Sequence, residues 1–384
     1  MSDPTCGDVL VLNVGSSSIK CAVFDSALHE VLRGGIEGLG PQATLRLGVL
    51  RRDVEARDHR AALAVLLEAL DVQGVLLGNL RVVGHRVVHG GPRLTQPVRI
   101  TPQVRDEIAL CTPLAPLHNP HHLAAMDALA ALAPDLPQVA CFDTGFHATN
   151  PEVALHFALP QELADNGLRR YGFHGLSYAG LVERLETLAG ALPDRVLAFH
   201  LGNGASACAI RGGHSVATTM GYSPTDGLTM GTRCGSIDPS VVLRLAEERG
   251  IDGARHLLDH GSGLAGLSGG VSDMRTLEAR DDPASRFAID HFIYWARRHA
   301  GSLIAAMQGL DAVVFTGGIG ENSATIRAGI LDGLAWTGAR YDPSKNARHA
   351  PRLHDDGAPV TAWVLPAEEE RMIAQAARDL VIMA

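Results

Sequence analysis

Three short stretches of this chain concentrate glycine with hydroxyl, amide and charged side chains: Asn13-Val-Gly-Ser-Ser-Ser-Ile-Lys20, His200-Leu-Gly-Asn-Gly-Ala-Ser206 and Thr316-Gly-Gly-Ile-Gly-Glu-Asn-Ser323. In the first, backbone N–H groups and the hydroxyls of Ser16 and Ser18 can meet phosphate oxygens. Lys20 adds positive charge, and Asn13 offers an oxygen to Mg²⁺ or to its waters. By itself this stretch is more often an ordinary hairpin with a polar turn. The second places His200, Leu201, Gly202, Asn203 and Gly204 between two apolar runs. In the third, Gly318 and Gly320 allow close approach of backbone to a flat base or sugar, with Ile319, Glu321 and Asn322 beside them. One G-x-G is weak evidence; three such loops in this order point to nucleotide phosphates.

Positioning these loops requires an α/β scaffold. Short apolar runs ended by Gly, Asp or Asn predict strands at 9–14, 20–25, 81–85, 138–143, 195–201, 206–210 and 312–316. Apolar residues every three to four positions predict helices at 58–70, 121–132, 177–187, 238–249, 283–308 and 367–380. Between 13 and 25 the order is strand, turn, strand, a hairpin and not the strand-to-helix entry of a Walker loop or a dinucleotide fold. The loop at 200 repeats that device, so the two halves of the chain open alike. A chain of 384 residues exceeds the size of one core and predicts two domains. A break is expected after 147, before Asn150-Pro151.

Composition excludes several classes. Thirty-three basic against forty-two acidic residues give a net charge of −9, which argues against general binding of nucleic acid or an anionic membrane. No segment approaches the ~18 uninterrupted apolar residues of a membrane helix. The first residues, acidic where a signal peptide is basic, carry no secretory signature. Six cysteines at 6, 21, 111, 141, 208 and 234 form no C-x-x-C pair and no zinc spacing, as expected for reduced thiols in a cytoplasm. His118, His121 and His122 cluster without an acidic partner at metal-ligand spacing, which gives metal binding little support.

The strings themselves carry a resemblance. The three loops in order resemble the two phosphate elements and the adenosine element of the actin, sugar-kinase and Hsp70 superfamily. NVGSSSIK at 13–20, GHRVVHGG at 84–91, PLAPLHNP at 113–120, FDTGFH at 142–147, YGFHG at 171–175, HLGNGAS at 200–206, DGLTMGTR at 226–233 and GGIGENS at 317–323 look like the acetate kinase family over essentially the whole chain. Small departures are NVG for the usual NAG, TRCGSIDP at 232–239 for TRSGDLDP, and Gly-Gly at 269–270. The resemblance implies a duplicated, ribonuclease H-like, two-domain actin-like ATPase fold with an interdomain nucleotide cleft. It assigns 1–147 with 370–384 to one domain and 148–369 to the other.

The implied reaction is reversible transfer of the ATP γ-phosphoryl to acetate, giving acetyl phosphate and ADP. A carboxylate acceptor with a pKa of roughly 4 to 5 is already ionised at neutral pH and needs no base. It needs relief from anion–anion repulsion and in-line placement. By resemblance Arg86 and Arg233 face the substrate carboxylate and the transferring phosphoryl, and His174 donates to that phosphoryl. Asp143 matches the family's active-site aspartate. Because acetate has no proton to lose, Asp143 is expected to orient Arg86 or a metal-bound water. Mg²⁺, with Mn²⁺ as a substitute, is implied beside Asn13 and the first glutamate of a C-terminal pair. That glutamate is placed at Glu369, within a run of three acids at 368–370. Val88, Leu117, Phe173 and Pro224 match the apolar lining of the acyl pocket, and Asp273, Met274 and Arg275 join the ATP set. The family also implies a homodimer, for which the helix at 283–308 is a candidate surface, and phosphate acetyltransferase as pathway neighbour.

Three alternatives stay open at this level. A propionate or other short-chain acyl kinase differs in pocket volume and not in motifs. An ATP-switched binding module needs an appendage for which this chain has no room, and a sugar kinase needs a general base for a hydroxyl proton.

Overall fold

The computed structural model describes residues 7–382. The chain divides into two compact units, Met1–Gly145 with Glu368–Ala384, and Phe146–Ala367. Both crossings lie two residues before the breaks expected from the sequence, after 147 and after 369. The reason is local: Phe146 already packs with Tyr178 of the second unit, ring centroids 6.3 Å apart, and Glu368 already accepts from Met372 N–H in the last helix.

The first unit is built on an eight-stranded sheet in the order β5-β4-β3-β2-β1-β6-β8-β7. Its strands are β1 (Asp8–Val14), β2 (Ser18–Phe24), β3 (Glu30–Glu37), β4 (Gly40–Leu47), β5 (Leu50–Ala56), β6 (Leu80–Val87), β7 (Val98–Arg99) and β8 (Gln138–Phe142). Strand β1 runs antiparallel to β2 and parallel to β6, which in turn is parallel to β8. Helix α1 (His59–Val72) starts where the Asp58 carboxylate accepts from Ala61 N–H. Its Leu63, Leu66 and Leu70, spaced three and four apart, are buried with Leu10, Leu12, Ile19 and Leu45 of the sheet. Helices α2 (Pro102–Leu110) and α3 (Asn119–Leu132) follow.

The second unit carries a five-stranded sheet in the order β11-β10-β9-β12-β13. Its strands are β9 (Arg195–Leu201), β10 (Ala205–Arg211), β11 (His214–Thr218), β12 (Ala312–Thr316) and β13 (Thr361–Val364). An antiparallel meander of three strands is followed by two parallel ones. This is the same sequence of pairings as β3-β2-β1-β6-β8 in the first unit, so each unit contains one copy of a single topological plan. Helices α4 (Gly175–Ala189), α5 (Pro239–His260), α6 (Pro283–Met307), α7 (Gly317–Asn322) and α8 (Ala324–Gly333) belong here. Tyr178, Leu181 and Leu185 of α4 pack on Val196, Ala198, Cys208 and Val314. The last helix, α9 (Glu369–Ile382), returns to the first unit. A Cβ at Gly84 would lie 2.5 Å from Ile373 Cγ2, so the bare glycine of β6 lets α9 lie close to the sheet.

Some elements depart from the sequence expectation. Strands β3, β4 and β5 were not anticipated because their burial is interrupted by exposed polar positions, without a long apolar run. Helix α5 continues past 249 to His260 through a kink at Gly250, whose φ of 71° is not helical. The stretch 317–322, expected as a loop, is the short helix α7. No helix of the described residues is long and apolar enough to cross a membrane.

Candidate active site

In the first unit the hairpin β1–β2 pairs Asn13 with Lys20. Its turn closes through Gly15 N–H donating to the Ser18 carbonyl at 2.8 Å. His59 Nε2–H donates to the Gly15 carbonyl at 2.7 Å while its ring stacks on His121, centroids 4.2 Å apart. Ser16 and Lys20 are exposed and Ser18 half-buried.

Arg86, near the end of β6, and Asp143, just past the end of β8, come together because these strands are parallel neighbours with Arg86 opposite Cys141. Arg86 Nε donates to Asp143 Oδ1 at 2.9 Å and Nη2 to Oδ2 at 2.6 Å. Its Nη1 donates to Asn13 Oδ1 at 3.3 Å, and Glu369 Oε2 lies 3.8 Å from Nε. Burial works against the charge on Arg86, but Asp143 and then Glu369 outweigh it and hold the guanidinium above its ordinary value. Burial likewise pushes the Asp143 carboxyl up, against the pull of Arg86. Two short parallel N–H···O contacts are the geometry of an ionised carboxylate.

Of the three consecutive acids, Glu369 lies beside Arg86, and Glu370 also adds to the field on that guanidinium. Glu370 Oε2 is 3.5 Å from Arg33, and Glu368 Oε2 is 3.8 Å from Arg371. Asn13 and Glu369 thus flank one guanidinium with oxygen donors. Among the described residues no group of three or more His, Cys, Asp or Glu could hold a metal. Two protein oxygens suit a hard cation that keeps waters and phosphate oxygens as its other ligands. Val88 is buried, whereas Leu117 is 49% exposed.

In the second unit, His174 occupies the N-cap of α4 with left-handed backbone, φ 60° and ψ 22°. A non-glycine residue held there is often part of a functional site. His147 Nε2–H donates to the carbonyl of the buried Phe173 at 2.8 Å and so fixes the approach to His174. The His174 ring stacks on His200, centroids 4.1 Å apart. A Cβ built on Gly204 would lie 3.5 Å from His174 Nε2 and 3.5 Å from Arg233 Nη1. The bare face of Gly204 is therefore a point on which two nitrogen donors converge. Arg233 is steadied by donating from Nη1 to the Pro224 carbonyl at 3.2 Å.

Beside Gly204 a cavity of about 440 Å³ opens among three segments of the second unit. Gly202 and Asn203 come from the turn after β9, Asp273, Met274 and Arg275 from the next segment, and Gly318, Ile319 and Asn322 from α7. Two further residues line it: Ser323, the last residue of the third glycine-rich stretch, and Glu278, which lies outside every motif read from the sequence. Ser323 Oγ donates to Glu278 Oε1 at 2.5 Å. The available signal was spacing: Glu278 lies one helical turn beyond Met274 and Arg275.

The profile of the acetokinase family matches residues 8–375. The chain belongs to the acetokinase family. An acetate kinase of Rhodopseudomonas palustris is 47% identical over 96% of both chains, and one of Rhizobium meliloti is 44% identical over 96% of both. Among solved structures, a propionate kinase from Francisella tularensis superposes with a TM-score of 0.92 at 34% identity, covering 97% of this chain and 99% of that one. A Porphyromonas gingivalis acetate kinase gives 0.91 at 35%, covering 98% and 100%. The two α/β units have the actin-like ATPase fold of these acetokinase relatives.

Several residues expected at the nucleotide of an acetokinase also make structural contacts within the second unit. Leu201 is fully buried in β9, and Gly320 packs over Phe315 and Leu201. Glu321 Oε1 accepts from Gly317 N–H and from Ala367 N–H, each at 3.0 Å, tying α7 to the segment that leads into α9. Arg327, fully buried, holds the other end of α7 by donating from Nη1 to the carbonyls of Gly320 and Glu321, each at 2.9 Å. Burial lowers its guanidinium to about 10, with Glu278 opposing, so it stays charged at neutral pH. These contacts span the turns of α7 and set its shape, which glycine spacing alone could not specify.

Proposed function

We infer that this chain is a phosphotransferase that moves the γ-phosphoryl of ATP to acetate, reversibly, forming acetyl phosphate and ADP. The observation that carries this reading is the convergence of His174 Nε2 and Arg233 Nη1 over Gly204, the residue that follows the cavity-lining Asn203 in the chain. Family membership supplies the acceptor. In the reaction an acetate oxygen bonds to the γ-phosphorus as the bond to the bridging β,γ-oxygen breaks, and ADP leaves with that electron pair. The acetate is ionised from the start, so no proton is removed.

The residues then divide the work electrostatically. Arg86 neutralises the acceptor carboxylate, and Asp143 aims Arg86 through the two-point contact without acting as a base. His174 and Arg233 meet the charge on the transferring phosphoryl. The cavity formed by Asp273, Met274, Arg275 and α7 takes the nucleoside, while Ser16, Ser18 and Lys20 of the hairpin contact phosphate. Asn13 and Glu369 would hold Mg²⁺, or Mn²⁺ in its place, which would supply charge neutralisation at the phosphate oxygens. Val88, Leu117, Phe173 and Pro224 shape the acyl pocket.

A homodimer is proposed through α6, where Phe287 and Tyr294 are 58% and 61% exposed. The ring centroids of Phe287, His291 and Trp295 follow one another at about 6 Å along that helix. The free thiols of Cys21, Cys111, Cys141, Cys208 and Cys234 support a cytoplasmic location. Acetyl phosphate made here is the substrate expected of a neighbouring phosphate acetyltransferase.

Trapping the product with hydroxylamine, with acetate, propionate and butyrate as acceptors, tests the reading in wild type and Arg86→Ala. Acetate-dependent hydroxamate that is abolished in the variant supports it; ATP turnover indifferent to carboxylates sinks it. The similarity to a propionate kinase favours propionate as the second acceptor, since one methylene discriminates by only ~1–3 kcal/mol.

A further inference from the structure

Tyr178 of α4 and Ser206 of β10 are both fully buried and take no direct part in the chemistry above. Burial raises the Tyr178 phenol well above its ordinary value, so it remains an O–H. That single buried proton needs an acceptor. The partner is Ser206 Oγ at 2.6 Å. Ser206 faces His200 across the β9–β10 pair, and its Oγ also lies 2.8 Å from His174 Nδ1.

The direction of this chain of hydrogen bonds is determined at its far end. Ser206 receives the Tyr178 proton and therefore gives its own to His174 Nδ1. An imidazole that accepts at Nδ1 is neutral and carries its proton on Nε2. In the opposite arrangement Ser206 accepts from both neighbours, and its own proton is left buried without an acceptor, since among the described residues its oxygen contacts these two side chains. A doubly protonated His174 meets the same obstacle, because its Nδ1 would also have to donate to Ser206.

We propose that Tyr178 and Ser206 are positioning residues that lock His174 in the neutral Nε2–H tautomer, so that it meets the transferring phosphoryl as a fixed hydrogen-bond donor and not as an acid. Nε2 is the ring nitrogen 3.5 Å from the open face of Gly204, where Arg233 Nη1 also converges. Orientation comes from the stack on His200, whose own Nδ1 is held 2.9 Å from Ser177 Oγ. The consequence for catalysis rests on the phosphotransfer reading; the tautomer does not.

The test is long-range ¹H–¹⁵N correlation of the full chain labelled at histidine nitrogens, with His174→Gln identifying the signals. Wild type should show His174 with a protonated Nε2 and a bare Nδ1. Tyr178→Phe keeps the ring but frees Ser206 to turn its hydroxyl, and should give a mixture of tautomers. Ser206→Ala, which removes the donor and keeps Tyr178, should do the same by an independent route. In Tyr178→Phe, kcat for acetyl phosphate should fall roughly five- to tenfold, the weight of one hydrogen bond, with both KM values within about twofold. A wild-type His174 protonated at Nδ1, or variant spectra identical to wild type, overturns the proposal. The expected spectra with no acyl phosphate formed would uphold the tautomer lock and defeat the phosphotransfer reading instead.

Discussion

Arg86 and Asp143 are separated by 57 residues, yet they meet through two parallel hydrogen bonds of 2.9 and 2.6 Å. The same guanidinium reaches Asn13, 73 residues away. One cation is thus held through Nε and Nη2 on a buried carboxylate, with Nη1 turned to a candidate metal ligand.

Asp143→Asn keeps the shape of this contact and removes its charge. Turnover should fall on the order of 10²- to 10³-fold, as for loss of one well-placed electrostatic group. Stability should drop by about 3–5 kcal/mol, because Arg86 loses its buried counter-charge. Steady-state acyl phosphate formation and denaturant unfolding measure the two effects. Near-normal turnover would show that the charge of Asp143 is not needed.

Glu369 and its neighbours make a separable set. Glu369→Gln should raise the Mg²⁺ concentration for half-maximal activity roughly ten- to hundredfold. Glu370 pairs with Arg33 at 3.5 Å, and Glu370→Gln should leave that concentration within about twofold of wild type. Metal titration of both variants decides the register, and a larger effect at Glu370 would reverse the assignment.

His85 and His147 are fully buried, and burial lowers each from 6.5 to about 4. The unfolded chain binds their protons first. Stability is therefore undiminished by these groups above pH 6.5 and is lost as pH falls toward about 4. The slope within that window approaches ~1.4 kcal/mol per pH unit for each histidine. Denaturant unfolding between pH 7 and pH 5 measures it, and His147→Gln, which retains a donor for the Phe173 carbonyl, should remove one histidine's share. A stability curve flat through this range is incompatible with the argument.

Exposed rings on α6 predict self-association. Phe287→Glu places a charge in that row, and sedimentation velocity should show dimer converting to monomer while the far-UV spectrum is retained. An unchanged sedimentation coefficient would move the interface away from this face.

Local patterning made much of this protein legible before its structure. The hairpin at 13–20 follows from a Gly-Ser turn between apolar runs; the helices follow from three-to-four-residue periodicity; and 195–201 and 312–316 agree with β9 and β12 residue for residue. These signals depend on neighbours in sequence, and the chain itself suffices to determine them. The quoted strings also sufficed to reach the acetokinase family.

Tertiary structure alone decided the rest, because it depends on pairings between distant segments that no periodicity encodes. Parallel registry of β6 and β8 brings Asp143 to Arg86. The seating of α9 brings Glu369 within 3.8 Å of Arg86, and carbonyl contacts from a buried Arg327 hold the turns of α7. Tyr178, inside the helix expected at 177–187, acquires its role only because β10 carries Ser206 to its hydroxyl, with His174 at the cap of α4 on the other side of the Ser206 oxygen.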